Sequence, residues 1–183
     1  MKFQYPHTIN NGHGEQITFL RLVEDPNGSF LELEGIAEPN CGPPMHVHYL
    51  QDEGFTVVSG KIATQVMVEA PKYFEEGDSV VFKAGIPHKF WNVGTETLHI
   101  KGWVKPANNV EYFLSELYKS TAENAGKRPR TFDAAWLTKQ YQAEFEMIEL
   151  PFFVKKLIFP LVLFFGNLVG KQRKFKGSPQ PLH

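Results

Sequence analysis

Four side chains of this 183-residue sequence combine a type that holds metal ions or moves protons with a spacing that can bring them together. In PPMHVHYLQDEGFTVVSG, His46 and His48 are two residues apart, so on a β-strand both imidazoles point to one face. Glu53 follows after a short turn, at the head of a second apolar run. His88 stands in GDSVVFKAGIPHKFWN, behind a Gly and a Pro that suit a tight turn. A lone histidine on a strand is more often a satisfied core or surface group than a ligand. The alternating pair, the nearby carboxylate and the third imidazole beside a turn shift that balance toward a divalent-metal site. Imidazoles with one carboxylate suit iron, manganese, nickel, copper, cobalt or zinc, and ligand type alone does not choose among them. Four protein ligands leave room for a substrate or water, which separates a catalytic metal from a structural one. Such a metal can polarise a chelating enol, hydroxyketone or carboxylate. Glu53 is then a ligand first and a catalytic proton acceptor if it detaches. The bland alternative is a barrel that has these residues and works unmetallated.

The two stretches resemble the paired motifs of the cupin superfamily. The first motif reads G, five residues, H, any, H, three or four residues, E, six residues, G, and His46, His48, Glu53 and Gly60 fall at its spacing. The second reads G, five residues, P, any, G, two residues, H, three residues, N, and Gly77, Gly85, His88 and Asn92 match it. Asn40 stands where the leading Gly of the first motif would be, and Asn also tolerates left-handed backbone. Lys83 replaces the Pro of the second, a position that supplies no ligand. The resemblance covers about residues 15–106. It implies an all-β fold, the double-stranded β-helix or jelly-roll barrel, with one divalent transition metal on His46, His48, Glu53 and His88. Cupins with this ligand set include dioxygenases of flavonols and other small aromatics, isomerases, decarboxylases and plain binding proteins, so the resemblance implies a site rather than a reaction. The leading expectation is a metal-dependent enzyme, dioxygenase-like or isomerase-like, acting on a small oxygenated molecule. The alternative is a non-catalytic small-molecule-binding or sensor barrel. The resemblance also implies association into homodimers.

The strands that must position these residues read clearly. ITFLRLV is strand-like, Asp25-Pro26-Asn27-Gly28 is a hairpin signal, and in the next run Leu31 and Leu33 alternate with Glu32 and Glu34. Those two glutamates are solvated rather than catalytic. Phe55 and Val57 share the inward side of Glu53, and Val80 and Phe82 alternate with Ser79, Val81 and Lys83. With His88 inward, Phe90 and Asn92 point inward too, and Lys89 and Trp91 face away. In LHIKGWVKP, Leu98, Ile100 and Val104 oppose His99, Lys101 and Trp103, so His99 is no fourth imidazole ligand. Short strands with turn signals and no helical period indicate a closed antiparallel jelly roll. A barrel of this size holds one ligand in its mouth, where Phe55, Phe82 and Phe90, with Met67 beyond them, form an apolar wall to the substrate pocket.

Around this barrel, residues 1–14 read as a polar leader, a flexible lead-in holding His7 and His13, and residues 107–183 as a helical extension. Asn108 or Asn109 caps a first helix with Val110, Phe113, Leu114, Leu117 and Tyr118 on one stripe, ended by Gly126. Asp133 caps a second whose stripe runs Leu137, Tyr141, Phe145 and Ile148. From Leu157 to Gly170 no charge occurs for 14 residues, short of the roughly 20 that span a bilayer. Burial against the protein or a symmetry mate is the leading reading of this tail, ahead of a membrane interface. The net charge of -1 and the lack of a basic cluster in the barrel argue against nucleic acid. Cys41, the only cysteine, excludes an intrachain disulfide and reads as a small apolar residue. The start MKFQYPHTINNGHGEQ lacks a signal-peptide core, so a cytoplasmic protein is the default expectation.

Overall fold

Alternation of apolar and polar residues builds two antiparallel sheets, in a computed structural model that describes residues 3–26 and 28–182. Asn27 of the expected hairpin lies outside the described residues. The strands are β1 (His7–Asn10), β2 (Glu15–Val23), β3 (Phe30–Ala37), β4 (His46–His48), β5 (Asp52–Ser59), β6 (Ile62–Val66), β7 (Lys72–Phe74), β8 (Ser79–Phe82), β9 (His88–Asn92), β10 (Leu98–Lys105) and β11 (Phe145–Met147). Helices α1 (Val110–Ala122) and α2 (Thr131–Gln140) precede β11, and α3 (Phe159–Leu168) follows it. One sheet runs β1-β2-β3-β10-β5-β8 and the other β11-β4-β9-β6-β7.

The inward faces are those the alternation assigns. Ala37, Phe55, Val57, Phe82, Leu98 and Ile100 of the larger sheet join Ile62 of the smaller one in a single buried cluster, with Val80 and Phe90 packed against it. The other end of the same face, Phe19, Leu31 and Val104, is covered by Val110 and Phe113 of α1, Phe132 and Leu137 of α2, Tyr141 and Phe145. Two clusters therefore share the inner face of the larger sheet, one against the smaller sheet and one against the helices. On the outer face Glu32 pairs with Arg21, and Glu34 lies near His99 and Lys101, so these glutamates are solvated surface groups and His99 stands away from the centre.

Four local expectations are corrected. His7–Asn10 of the supposed lead-in is a strand paired with Ile17 and its neighbours in β2, and His7 bonds Glu111 of α1 at 2.8 Å and stacks on Phe3 and Phe19. The second helical stripe stops at Gln140. Phe145 to Met147 instead pair with His48 to His46, because the edge of β4 offers unpaired backbone groups that outweigh helical periodicity. Neither expected cap is made by its side chain: Asn109 donates to Glu144 and Gln180, and Asp133 sits inside the first turn of α2, bonded to Ser120 and Lys174. Met67 lies exposed on the turn after β6 rather than on an inner wall.

The tail is helical from Phe152 to Leu168, its start wound as a π-helical turn over Val154–Ile158. Pro160, expected to interrupt it, stands inside this continuous run, directly after the π-helical turn, and the helix passes through it. Among the described residues no helix is long and apolar enough to cross a membrane.

Candidate metal centre

His46 and His48 project from β4, Glu53 from β5 and His88 from β9, so the group is assembled from both sheets. The backbone sets up each position. Asn40 takes the left-handed conformation (φ 64°) that its place at the head of the first motif suggests. Gly42 passes so close to β9 that a Cβ there would lie 2.1 Å from the Phe90 carbonyl oxygen. Gly85, at φ 81°, turns the chain before His88 and donates its N–H to the His48 carbonyl at 2.7 Å. Asn92, fully buried, holds the far end of β9 by donating to the carbonyls of Ala37 and Glu96 and accepting from Gly94 N–H, each at 2.8 Å. His46 and His88 face one another across the β4–β9 pair.

The three imidazoles converge on one oxygen. Glu53 Oε2 lies 3.0 Å from His88 Nε2, 3.7 Å from His48 Nε2 and 3.9 Å from His46 Nε2. His46, His48 and Glu53 place one ligand atom each within 4.8 Å of one another, and His88 meets them through Glu53. The Nδ1 atoms of His46 and His88 donate to the carbonyls of Pro44 and Ile86, both at 2.8 Å. Their Nε2 atoms are thus the ones left to face the centre, either donating to Glu53 or turning a lone pair to a cation. His48 Nδ1 is buried without a hydrogen-bond partner among the described residues.

Burial pushes the His48 imidazole down from its ordinary 6.5 to about 3, the Glu53 carboxylate opposing the shift and the other two imidazoles adding to it. A neutral imidazole is the form that binds metal. For Glu53 burial alone would raise the carboxyl. The nearby His46, the hydrogen bond from His88 and the charges of His48 and His88 outweigh it, and the carboxyl is held well below 4.5. A neutral buried imidazole, an ionised carboxylate and two rings oriented by backbone carbonyls fit a divalent transition metal. With bonds of about 2.1 Å, ligands on one ion stand roughly 3.0–3.4 Å apart, close to the spacings found around Glu53.

Aromatic rings support the centre. Phe82 stacks on His88 with centroids 3.9 Å apart and planes 7° from parallel. Phe55 packs on Phe82 and Phe90 at 6.1 and 5.0 Å, and Phe145 of β11 meets His48 edge-on at 5.3 Å. Strand β11 and this edge contact are what sequence reasoning missed, since FEMIE shows too little alternation to announce a strand. Cys41 packs beside the core with its thiol donating to the His13 carbonyl. Burial, with Glu15 and Glu38 nearby, pushes that thiol up, away from the thiolate form.

The family model described as "Cupin domain" matches residues 35–104. No curated protein matches the chain. Among solved structures it is similar to the cupin domain of Schizosaccharomyces pombe Cnp3, at 15% identity over 52% of this chain and 63% of that one, with a TM-score of 0.42. The match thus spans less than two thirds of the Cnp3 chain. It is also similar to a conserved protein with a double-stranded β-helix domain from Klebsiella pneumoniae, at 21% identity over 59% and 80% of the two chains, TM-score 0.43. A sugar phosphate isomerase from a cupin superfamily of Silicibacter pomeroyi aligns at 17% identity over 57% and 74%, TM-score 0.46. The segment that resembles the cupin domain begins inside β3, ends inside β10 and encloses all four candidate ligands.

Proposed function

We propose that the chain is a metal-dependent enzyme acting on a small oxygenated molecule, its two sheets closing as a jelly-roll barrel round a divalent transition metal held by His46, His48, Glu53 and His88. The observation that carries this is the convergence of three Nε2 atoms on Glu53 Oε2 within 3.9 Å, with two of the rings aimed by backbone carbonyls. When bound, the ion supplies Lewis acidity to an oxygen of the substrate and, for a redox-active metal, a place for dioxygen. Glu53, ionised, would hold the ion and, on detaching from it, would take a proton from the substrate and become neutral. His88, hydrogen-bonded to Glu53 and stacked on Phe82, positions that carboxylate. Phe55 and Phe90 keep water from the inner end of the site, and Phe90, half-buried, presents the apolar wall to the substrate.

Elemental analysis of the chain purified without chelator tests the reading. Near one equivalent of iron, manganese, nickel, copper or zinc is expected, lost in each of His46→Ala, His48→Ala, Glu53→Ala and His88→Ala. No metal after reconstitution, or a full equivalent retained in these variants, would overturn it. Iron, manganese, nickel or copper would direct the substrate screen to oxygen consumption, and zinc to isomerisation or hydrolysis.

A further inference from the structure

The helix from Phe152 to Leu168 has two apolar sides and only one is covered. Phe159 and Gly166 are buried against the helical core, and Val162 and Leu163 pack on it. On the opposite side Phe153, Leu157, Leu161, Phe164, Phe165 and Leu168 recur at three- and four-residue intervals and face solvent, the last three at 60, 62 and 70% exposure. A contiguous apolar stripe of this kind marks a binding surface.

Charge says what covers it. Six cations and no carboxylate follow Leu150, whereas the 150 residues before carry 13 cations against 20 carboxylates. The cations bracket the stripe, with Lys155 and Lys156 near its start and Lys171, Arg173, Lys174 and Lys176 beyond its end. Lys155 and Lys174 are held by Glu146 and Asp133, each at 2.6 Å. Among the described residues Lys156, Lys171, Arg173 and Lys176 form no ion pair. Beside the end of the stripe, Arg130, Lys171 and Lys174 line a concavity of about 690 Å³.

We propose that this face docks on the surface of an anionic lipid bilayer, with the stripe among the acyl chains and the bracketing cations among the headgroup phosphates. A second copy of the chain is the other natural occupant. A two-fold interface, however, sets the same patch against itself and would bring the unpaired cations of both copies together, whereas anionic headgroups neutralise them. The docked helix lies in the interface and does not span it. Docking also fixes the domain's orientation: Lys155 ties the helix to Glu146 in β11, the strand paired with the one that bears His46 and His48.

The test is sedimentation of the full chain with vesicles of phosphatidylcholine alone and of phosphatidylcholine mixed with phosphatidylserine. The chain is expected to pellet with the anionic vesicles and to be released by raised salt. The double change Arg173→Glu, Lys176→Glu should weaken binding at least about tenfold, and Phe164→Glu, Phe165→Glu should abolish it, both variants keeping the parent's circular dichroism. A chain that stays in the supernatant with both vesicles overturns the proposal. So does equal pelleting on both that is indifferent to the charge reversals. A dimer that dissociates in Phe164→Glu, Phe165→Glu without any vesicle binding would assign the face to a second copy instead.

Discussion

Between the two sheets, polar side chains are buried and largely matched; along the C-terminal helix, apolar side chains are exposed and unmatched. His48 and His88 are buried and Glu53 is half-buried beside them, in an interior where an unpaired charge costs several kcal/mol, roughly; Glu53 bonds His88, and His48 faces the same carboxylate oxygen at 3.7 Å. Phe164, Phe165 and Leu168 leave in water the area whose burial would return about 25 cal/mol for each Å². Neither arrangement is what folding alone selects. The inner region keeps a cost that a bound cation would relieve, and the outer one keeps a cost that a covering surface would relieve. The two regions are mechanically joined through Lys155 and Glu146, yet their chemistry is separate, and substitutions should separate them.

The largest effect is expected from Glu53→Gln, which keeps the shape of the side chain and removes the charge on which the imidazoles converge. Affinity for the divalent metal, read by competition with a chromophoric chelator, should fall by more than the roughly 100-fold that loss of an outer-shell partner costs, with vesicle binding unchanged. Unaltered metal affinity would mean that the carboxylate serves the fold only. Next comes Phe82→Ala. It empties a buried position stacked on His88 and should cost about 3–5 kcal/mol in urea unfolding.

Gly166→Ala probes the join between the regions. A Cβ at this position would lie 2.1 and 2.2 Å from ring atoms of Phe132, so α3 must lift from α2 or the ring must move, at about 1–3 kcal/mol. Hydrogen exchange should quicken along α3 and stay unchanged in β4 and β9. Faster exchange in β9 as well would show that the tail supports the metal centre.

Acid should weaken the inner region before the outer one. His48 binds its proton at about 3 in the folded chain and near 6.5 when unfolded, so between these values the unfolded chain holds the extra proton and stability falls as pH falls. Glu53, depressed below its ordinary 4.5, acts in the same direction: its contribution is full above about 4.5 and is lost as pH drops through its folded value. Each group adds a slope of at most about 1.4 kcal/mol per pH unit. Urea titrations of chelator-treated chain from pH 7 downward should show stability falling from about pH 6.5. A flat profile to pH 5 would mean that His48 is open to water.

The candidate ligands were legible because a strand's two-residue period and a motif's fixed spacing are local properties: His46 and His48 share a face, and Asn40, Gly60 and Gly85 take the left-handed backbone their positions imply. The inward run of His88, Phe90 and Asn92 was legible for the same reason. What was not legible depends on partners far along the chain. β11 exists because β4 has an open edge, β1 because β2 does, and Asn109 gives up its cap to reach Glu144. The stack of Phe82 on His88 joins strands of different sheets, which no periodicity within either strand announces.

The smallest effect, and the one that best isolates the outer region, belongs to Phe164→Ala. It is the change already made at Phe82, applied to the same residue type in the other setting. Phe164 touches Phe165 edge-on at 5.3 Å and is otherwise 60% exposed, so its removal leaves no cavity and should alter unfolding free energy by less than about 0.5 kcal/mol. Metal content should not move. If stability instead dropped by about 3 kcal/mol, as a core phenylalanine requires, the stripe would already be covered in solution by another copy of the chain. If stability held while vesicle binding weakened, the apolar face would be shown to spend its exposure on an encounter outside the fold.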